Sequence, residues 1–156
     1  MLLHCLVGVT RKASGKTRSV LHTAARLIAR RRKYDSITPI IRDSLHWLPI
    51  AQRVEYKLCT FVFKCLHEMA PVYLIDMCIP VSTIQGRSQL RSAAHGELVV
   101  PRSTRVTFGN RSFSVSGSET WNTLPLNARD FALSFGQFIS LLKTVLFNRA
   151  YMHVMS

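Results

Sequence analysis

Apolar residues recur every three or four positions through one long stretch of the chain. Ile50, Val54, Leu58, Phe61, Val62, Cys65, Leu66 and Met69 form one continuous stripe, the spacing of an amphipathic helix. Pro49 stands at its start, where a missing N–H is harmless. Burial at about 1.5–3 kcal/mol per large side chain makes this helix the main source of core stability. Arg53, Lys57 and Lys64 mark a basic face, with Lys64 and Glu68 spaced as an i,i+4 pair. A second helix is predicted near the end. Ser134 and Gln137 have the spacing of a capping box, and Phe138, Ile139, Leu142, Val145 and Leu146 follow at helical intervals.

The remaining elements are shorter. From Ser19 a helix is predicted with Val20, Ala24, Leu27 and Ile28 on one face, ending in Arg30-Arg31-Arg32-Lys33. Pro39 after Thr38 predicts a short helix to Leu45, and Pro71 another to Met77. Residues 81–97 are polar and aperiodic, the pattern of a loop. Leu98 to Val100 reads as a short strand. Val106 and Phe108, then Phe113 and Val115, alternate with polar neighbours around Gly109-Asn110, which predicts a hairpin. Periodicity equally allows a helix from Phe113 to Asn122, with Phe113, Gly117 and Trp121 on one side. The expected architecture is mainly α: a small helical domain around one long amphipathic helix, with a short β-hairpin or two short strands in its second half. Residues 1–18 are expected to form a basic, poorly ordered arm, 19–149 the domain, and 150–156 a frayed tail.

Charge changes this picture. The 156-residue chain carries a formal net charge of +13, and residues 1–33 hold nine of its 21 Lys and Arg and no acid. Such a block suits phosphates, an anionic membrane surface or an import receptor. Arg30 to Lys33 fits a nuclear signal, and the acid-free, Ser-containing N-terminus fits a mitochondrial transit peptide. The expected location is intracellular, nuclear ahead of cytoplasmic, with mitochondrial import the other destination. Met1 to Val9 is too short to span a bilayer, and no membrane partner is expected. Cys5, Cys59, Cys65 and Cys78 form no C-x-x-C pair and read as reduced thiols.

Motifs for chemistry are sparse. Ser14-Gly15-Lys16-Thr17 ends like a phosphate-binding loop, but the glycine required five positions before Gly15 is replaced by Thr10. Cys59, Cys65, His67 and Cys78 lack the paired spacing of structural zinc ligands. Eight scattered carboxylates offer no acid–base pair, no Ser occupies a nucleophile elbow, and His46 beside Trp47 reads as a corner residue. No catalytic residue, metal, cofactor or small-molecule substrate is therefore expected. The basic positions remain. Besides Arg30, Arg31, Arg32 and Lys33, the residues Arg102, Arg105 and Arg111 are interleaved with Phe108 and Phe113. Arginine for phosphates and aromatics for stacking is how single-stranded partners are held without a sequence code.

A longer ordered series carries a resemblance. It runs through Ala24-Ala25-Arg26-Leu27-Ile28, Tyr34-Asp35-Ser36-Ile37-Thr38-Pro39 and Leu45-His46-Trp47-Leu48-Pro49-Ile50. It continues through Leu90-Arg91-Ser92, Val99-Val100-Pro101-Arg102-Ser103, Arg111-Ser112-Phe113 and Trp121-Asn122-Thr123-Leu124-Pro125. Over about residues 20–147 the chain resembles the region downstream of the reverse-transcriptase domain in animal non-LTR retrotransposons, LINE elements of the jockey and chicken-repeat type. In such elements an upstream palm with paired aspartates performs the polymerase chemistry, and this chain has no Asp-Asp pair. The resemblance thus implies a non-catalytic C-terminal piece of a LINE-type reverse transcriptase. Its expected partners are RNA or single-stranded DNA, bound with little sequence preference, and an upstream polymerase domain.

Overall fold

A computed structural model describes residues 11–86, 89, 91–102 and 112–152, with the side chains of residues 11–14 excepted. The described chain is mainly helical. In order it forms α1 (Arg11–Ile28), a π-helical turn (Ile40–Ser44), α2 (Ile50–Leu66), α3 (Val72–Ile75) and a 3₁₀ turn (Val81–Thr83). Then come α4 (Arg91–Ala94), α5 (Phe113–Asn122), a second 3₁₀ turn (Leu126–Ala128) and α6 (Phe135–Tyr151).

The long predicted helix is α2, and it lies at the centre, with α5 and α6 packed on it. Pro49 sits just before its first turn in an extended conformation. Because two helices cover it, burial extends beyond the predicted stripe: Cys59 and Phe63 are as buried as Leu58, Val62 and Cys65. The ring of Phe63 stacks on Phe138 of α6 with centroids 4.2 Å apart, and Trp121 of α5 meets Phe138 at 5.8 Å. Aromatic pairs of this kind contribute about 0.5–1.5 kcal/mol beyond their buried area. The capping box of α6 is present: Gln137 N–H donates to Ser134 Oγ at 3.4 Å, and Ser134 N–H to Gln137 Oε1 at 2.9 Å.

The helix ends where its backbone turns left-handed. Glu68 adopts φ 57°, which lets Met69 N–H reach Lys64 O at 2.8 Å and Glu68 N–H reach Cys65 O at 3.3 Å. These are the two hydrogen bonds of a Schellman cap. Met69 consequently leaves the stripe and is 51% exposed. The spaced pair Lys64 and Glu68 forms no ion pair; Lys64 Nζ instead lies 5.2 Å from the centre of the Phe135 ring.

α5 occupies the second half of the predicted hairpin. Phe113 and Val115 are helical and buried, as the alternative periodicity has it. Among its buried residues are three small ones, Ser116, Gly117 and Ser118. A Cβ added at Gly117 would lie 3.2 Å from Val62 Cγ2, so the two backbones approach closely. The first hairpin limb, Val106 to Asn110, lies outside the described residues. Leu98 makes only an isolated antiparallel bridge with Pro80, and no longer strand occurs among the described residues. The Trp121-Asn122 pair holds that bridge. Asn122 Oδ1 accepts from Leu98 N–H and Asn122 Nδ2 donates to Leu98 O, both at 2.9 Å, while Trp121 Nε1 donates to Gly96 O at 3.0 Å.

α1 already runs from Arg11, the first described residue, rather than from Ser19, so residues 11–18 of the expected arm are helical. Its buried residue is Ala25, which joins Ile37 and Ile41 in a small second cluster. The predicted face is turned outward: Val20 is 69%, Leu27 75% and Ile28 59% exposed. Besides Ala25, the residues Arg18, Leu21 and His22 of α1 face the chain, lining a cavity with Ile41, Pro49, Ile50 and Tyr151. At the other end α6 continues to Tyr151, whose hydroxyl donates to Trp47 O at 2.9 Å. The predicted fraying therefore does not begin at residue 150.

Candidate nucleic-acid interface

The Arg30–Lys33 run is set by a cap like that of α2. Arg30 adopts φ 50°, with Arg30 N–H donating to Leu27 O at 3.3 Å and Arg31 N–H to Arg26 O at 2.9 Å. The chain turns away from the axis of α1 at that point, so the four cations project from a turn rather than along one helix face. All four are exposed, and none forms a salt bridge among the described residues. The nearest acid, Asp35, accepts from Arg32 backbone N–H at 2.9 Å. Tyr34 is 91% exposed beside them, with Lys33 Nζ 5.7 Å from its ring centre.

Arg102 is also exposed, in irregular chain after α4, and no ion pair engages it among the described residues. No described contact joins it to the Arg30–Lys33 run. Arg105 and Arg111 lie outside the described residues.

The fold assembles a further group of cations from separate elements. His46 turns the chain after the π-helical turn with φ 48°, and Trp47 N–H donates back to Ile41 O at 2.9 Å. Trp47 is half-buried beside the first turns of α2. Arg53 Cζ lies 5.5 Å from the centre of the Trp47 ring, and Arg53 Nε donates to Leu48 O at 2.8 Å. Trp47, Arg53, Tyr56 and Lys57 line a cavity of about 380 Å³ with His46 and with Lys143 from α6. Among the described residues no carboxylate lines it. Glu55, in the same helix, is paired elsewhere, accepting from Arg149 Nη1 at 3.2 Å. The basic face read from the sequence thus keeps Arg53 and Lys57, loses Lys64 and gains Lys143. Helical spacing announces the first two; Lys143, 86 positions beyond Lys57 by their residue numbers, has no sequence signal that places it there.

The alternatives weighed from sequence are resolved locally. Gly15, Lys16 and Thr17 lie inside α1, where no loop can wrap a phosphate. No group of three His, Cys, Asp or Glu converges among the described residues. Cys59, Cys65 and Cys78 are buried free thiols. Burial first, and the Glu55 carboxylate second, push the Cys59 thiol up to about 12, which leaves almost no thiolate at neutral pH. The Cys78 thiol is likewise pushed up, first by its hydrogen bond with Cys65 and then by burial. Arg129 is a buried cation, but Nη1 faces Glu97 Oε1 at 3.5 Å, an internal ion pair.

No family model, no curated protein and no solved structure matches the chain.

Proposed function

We propose that this protein is a non-catalytic nucleic-acid-binding domain, the C-terminal piece of a LINE-type reverse transcriptase, gripping RNA or single-stranded DNA by its phosphates. The observation that carries the reading is the Arg30–Lys33 turn: four exposed cations with no acidic side chain paired to them among the described residues. A solvated helix end would serve as well with scattered charges. A four-residue run that leaves Asp35 to a backbone N–H keeps every cation available to an anion. Arg102, Arg105 and Arg111 extend the contact. Phosphate contacts release counterions, so affinity depends on salt and little on sequence.

The test is the affinity of a labelled single-stranded RNA by fluorescence anisotropy at about 50 and 200 mM salt. If each of the four cations neutralises one phosphate, affinity falls roughly 50-fold across that range. Arg31→Glu with Arg32→Glu lowers affinity at the lower salt and flattens the salt dependence. Salt-independent or absent binding overturns the reading.

A second reading, an interaction module without activity of its own, has a specific observation in its favour. The outward face of α1 presents Val20, Leu27 and Ile28 to solvent, and exposed apolar groups of this kind mark contact surfaces. An upstream polymerase domain is the partner this reading requires. It is favoured if the double charge reversal leaves nucleic-acid binding unchanged.

A further inference from the structure

The indole of Trp47 sits at the edge of a cationic cavity that the Arg30–Lys33 reading does not use. We infer that Trp47 stacks against one unpaired base of a single-stranded nucleic acid, while Arg53, Lys57 and Lys143 hold the flanking phosphates. This rests on the nucleic-acid reading above and gives it a second, chemically distinct contact.

Three features of the cavity carry the inference. First, its charge is one-signed: Arg53, Lys57 and Lys143 line it and, among the described residues, no carboxylate does. Three cations from α2 and α6 lining one cavity raise the local concentration of anions there. Second, the lining is aromatic as well as basic, through Trp47, Tyr56 and His46. A site for phosphate alone needs donors and no π-faces. A nucleotide supplies both a ring and an anion, and base–aromatic stacking tolerates any sequence because every base has a π-face. Third, Trp47 is held from two sides. Its N–H is bonded to Ile41 O at 2.9 Å, and its carbonyl accepts from Tyr151 Oη at 2.9 Å. The backbone that carries the ring is therefore already fixed, which removes part of the cost of binding. Arg53 is fixed in the same way by its bond to Leu48 O. The volume, about 380 Å³, accepts one base. Bases paired and stacked in a duplex are not free to enter it.

Tryptophan fluorescence tests this directly, because the chain has 2 Trp and Trp121 is only 2% exposed. Quenching by a bound ligand therefore reports Trp47. The full chain is titrated with a twelve-nucleotide oligothymidine, with an abasic oligonucleotide of the same length and with the duplex, each also followed by anisotropy. Oligothymidine should quench the emission; the abasic strand should bind through its phosphates and leave the emission unchanged; the duplex should behave like the abasic strand. Trp47→Leu should weaken oligothymidine binding about 5- to 150-fold, the equivalent of about 1–3 kcal/mol for one stacked base, while abasic binding stays the same. Trp47→Phe should retain most of the affinity, and the quenching contrast between oligothymidine and the abasic strand on the unaltered chain decides the matter if the leucine variant does not fold. Equal quenching by the abasic strand, or binding of oligothymidine with no quenching, overturns the stacking site and leaves the phosphate reading standing. Absence of binding by every ligand overturns both.

Discussion

Glu68 ends α2 with φ 57°, and Arg30 ends α1 with φ 50°. Both occupy the capping position that glycine takes most readily, since a Cβ there crowds the following carbonyl by about 1–2 kcal/mol. Glu68 gains no ion pair in return among the described residues, because Lys64 is turned to Phe135. Glu68→Gly should therefore stabilise the fold. Relief of the backbone strain, less the extra freedom that glycine gives the unfolded chain, leaves a net gain of about 0.5–1 kcal/mol. The readout is the urea midpoint, which should rise with an unchanged slope; a lower midpoint contradicts the assignment of strain. At Arg30 the same exchange would relieve the backbone and remove one of the exposed cations. Stability and the proposed binding therefore pull in opposite directions at that residue.

At the scale of elements, α5 is held to the segment around Leu98 by Asn122 and, through Gly96, by Trp121. Asn122 offers Leu98 a donor and an acceptor together, as the edge of a neighbouring strand would. Leu98 is buried, so removing that amide strands a backbone N–H and a C=O away from water. Asn122→Ala should destabilise the protein by about 2–3 kcal/mol, measured by urea denaturation. A loss below about 0.5 kcal/mol would show that water or another group takes over both bonds. The contrast between α5 and its neighbours explains which elements were legible in the sequence. α2 and α6 bury large apolar residues at steps of three and four, and Pro49 and the Ser134–Gln137 box mark their starts. α5 buries Ser116, Gly117 and Ser118 among Phe113, Val115 and Trp121, so its apolar residues fit a strand alternation as well as a helical face, and its fit depends on the close passage of Gly117 against Val62. α1 misled in the opposite sense: its apolar residues have helical spacing, but Val20, Leu27 and Ile28 stay exposed while Ala25 is buried. Of the candidate interface, the Arg30–Lys33 run is visible as a string of letters. The Trp47 cavity needs α6 to bring Lys143 to α2, a tertiary event with no local trace.

For the molecule as a whole, the two hydrophobic clusters are very unequal. The larger joins α2, α5 and α6 with the chain around Leu74, Cys78 and Leu98. The smaller consists of Ala25, Ile37 and Ile41, with Ile40, Leu45 and Trp47 against it. Opening α1 exposes little apolar area, whereas opening α2 exposes most of the core at about 25 cal/mol for each Å². Hydrogen exchange of the intact chain should therefore release the amides of α1 well before those of Leu58–Cys65 and Phe138–Leu146. Release of all three at one rate would mean that the small cluster couples α1 to the core as strongly as the large one couples α2. The cations of Arg30–Lys33 stand at the end of the looser unit, and the Trp47 cavity joins the two, with Trp47 packed on the smaller cluster and Arg53, Lys57 and Lys143 carried by α2 and α6.

The bridge between Pro80 and Leu98 has a consequence for how this chain tolerates change in length. Val81 N–H donates to Glu97 O and Val99 N–H to Ile79 O, both at 2.9 Å, and Asn122 closes the third side. The ends of the intervening segment are thereby fixed to each other and to the core, whatever lies between them. Gln85 and Gly86 are exposed, far from the bonds that hold those ends. Lengthening the segment there adds only the slowly growing entropy of a larger closed loop, about 0.6 kcal/mol for each doubling. The region is thus the natural place for an added peptide, a reporter or a second domain to be carried without loosening the helices beneath it.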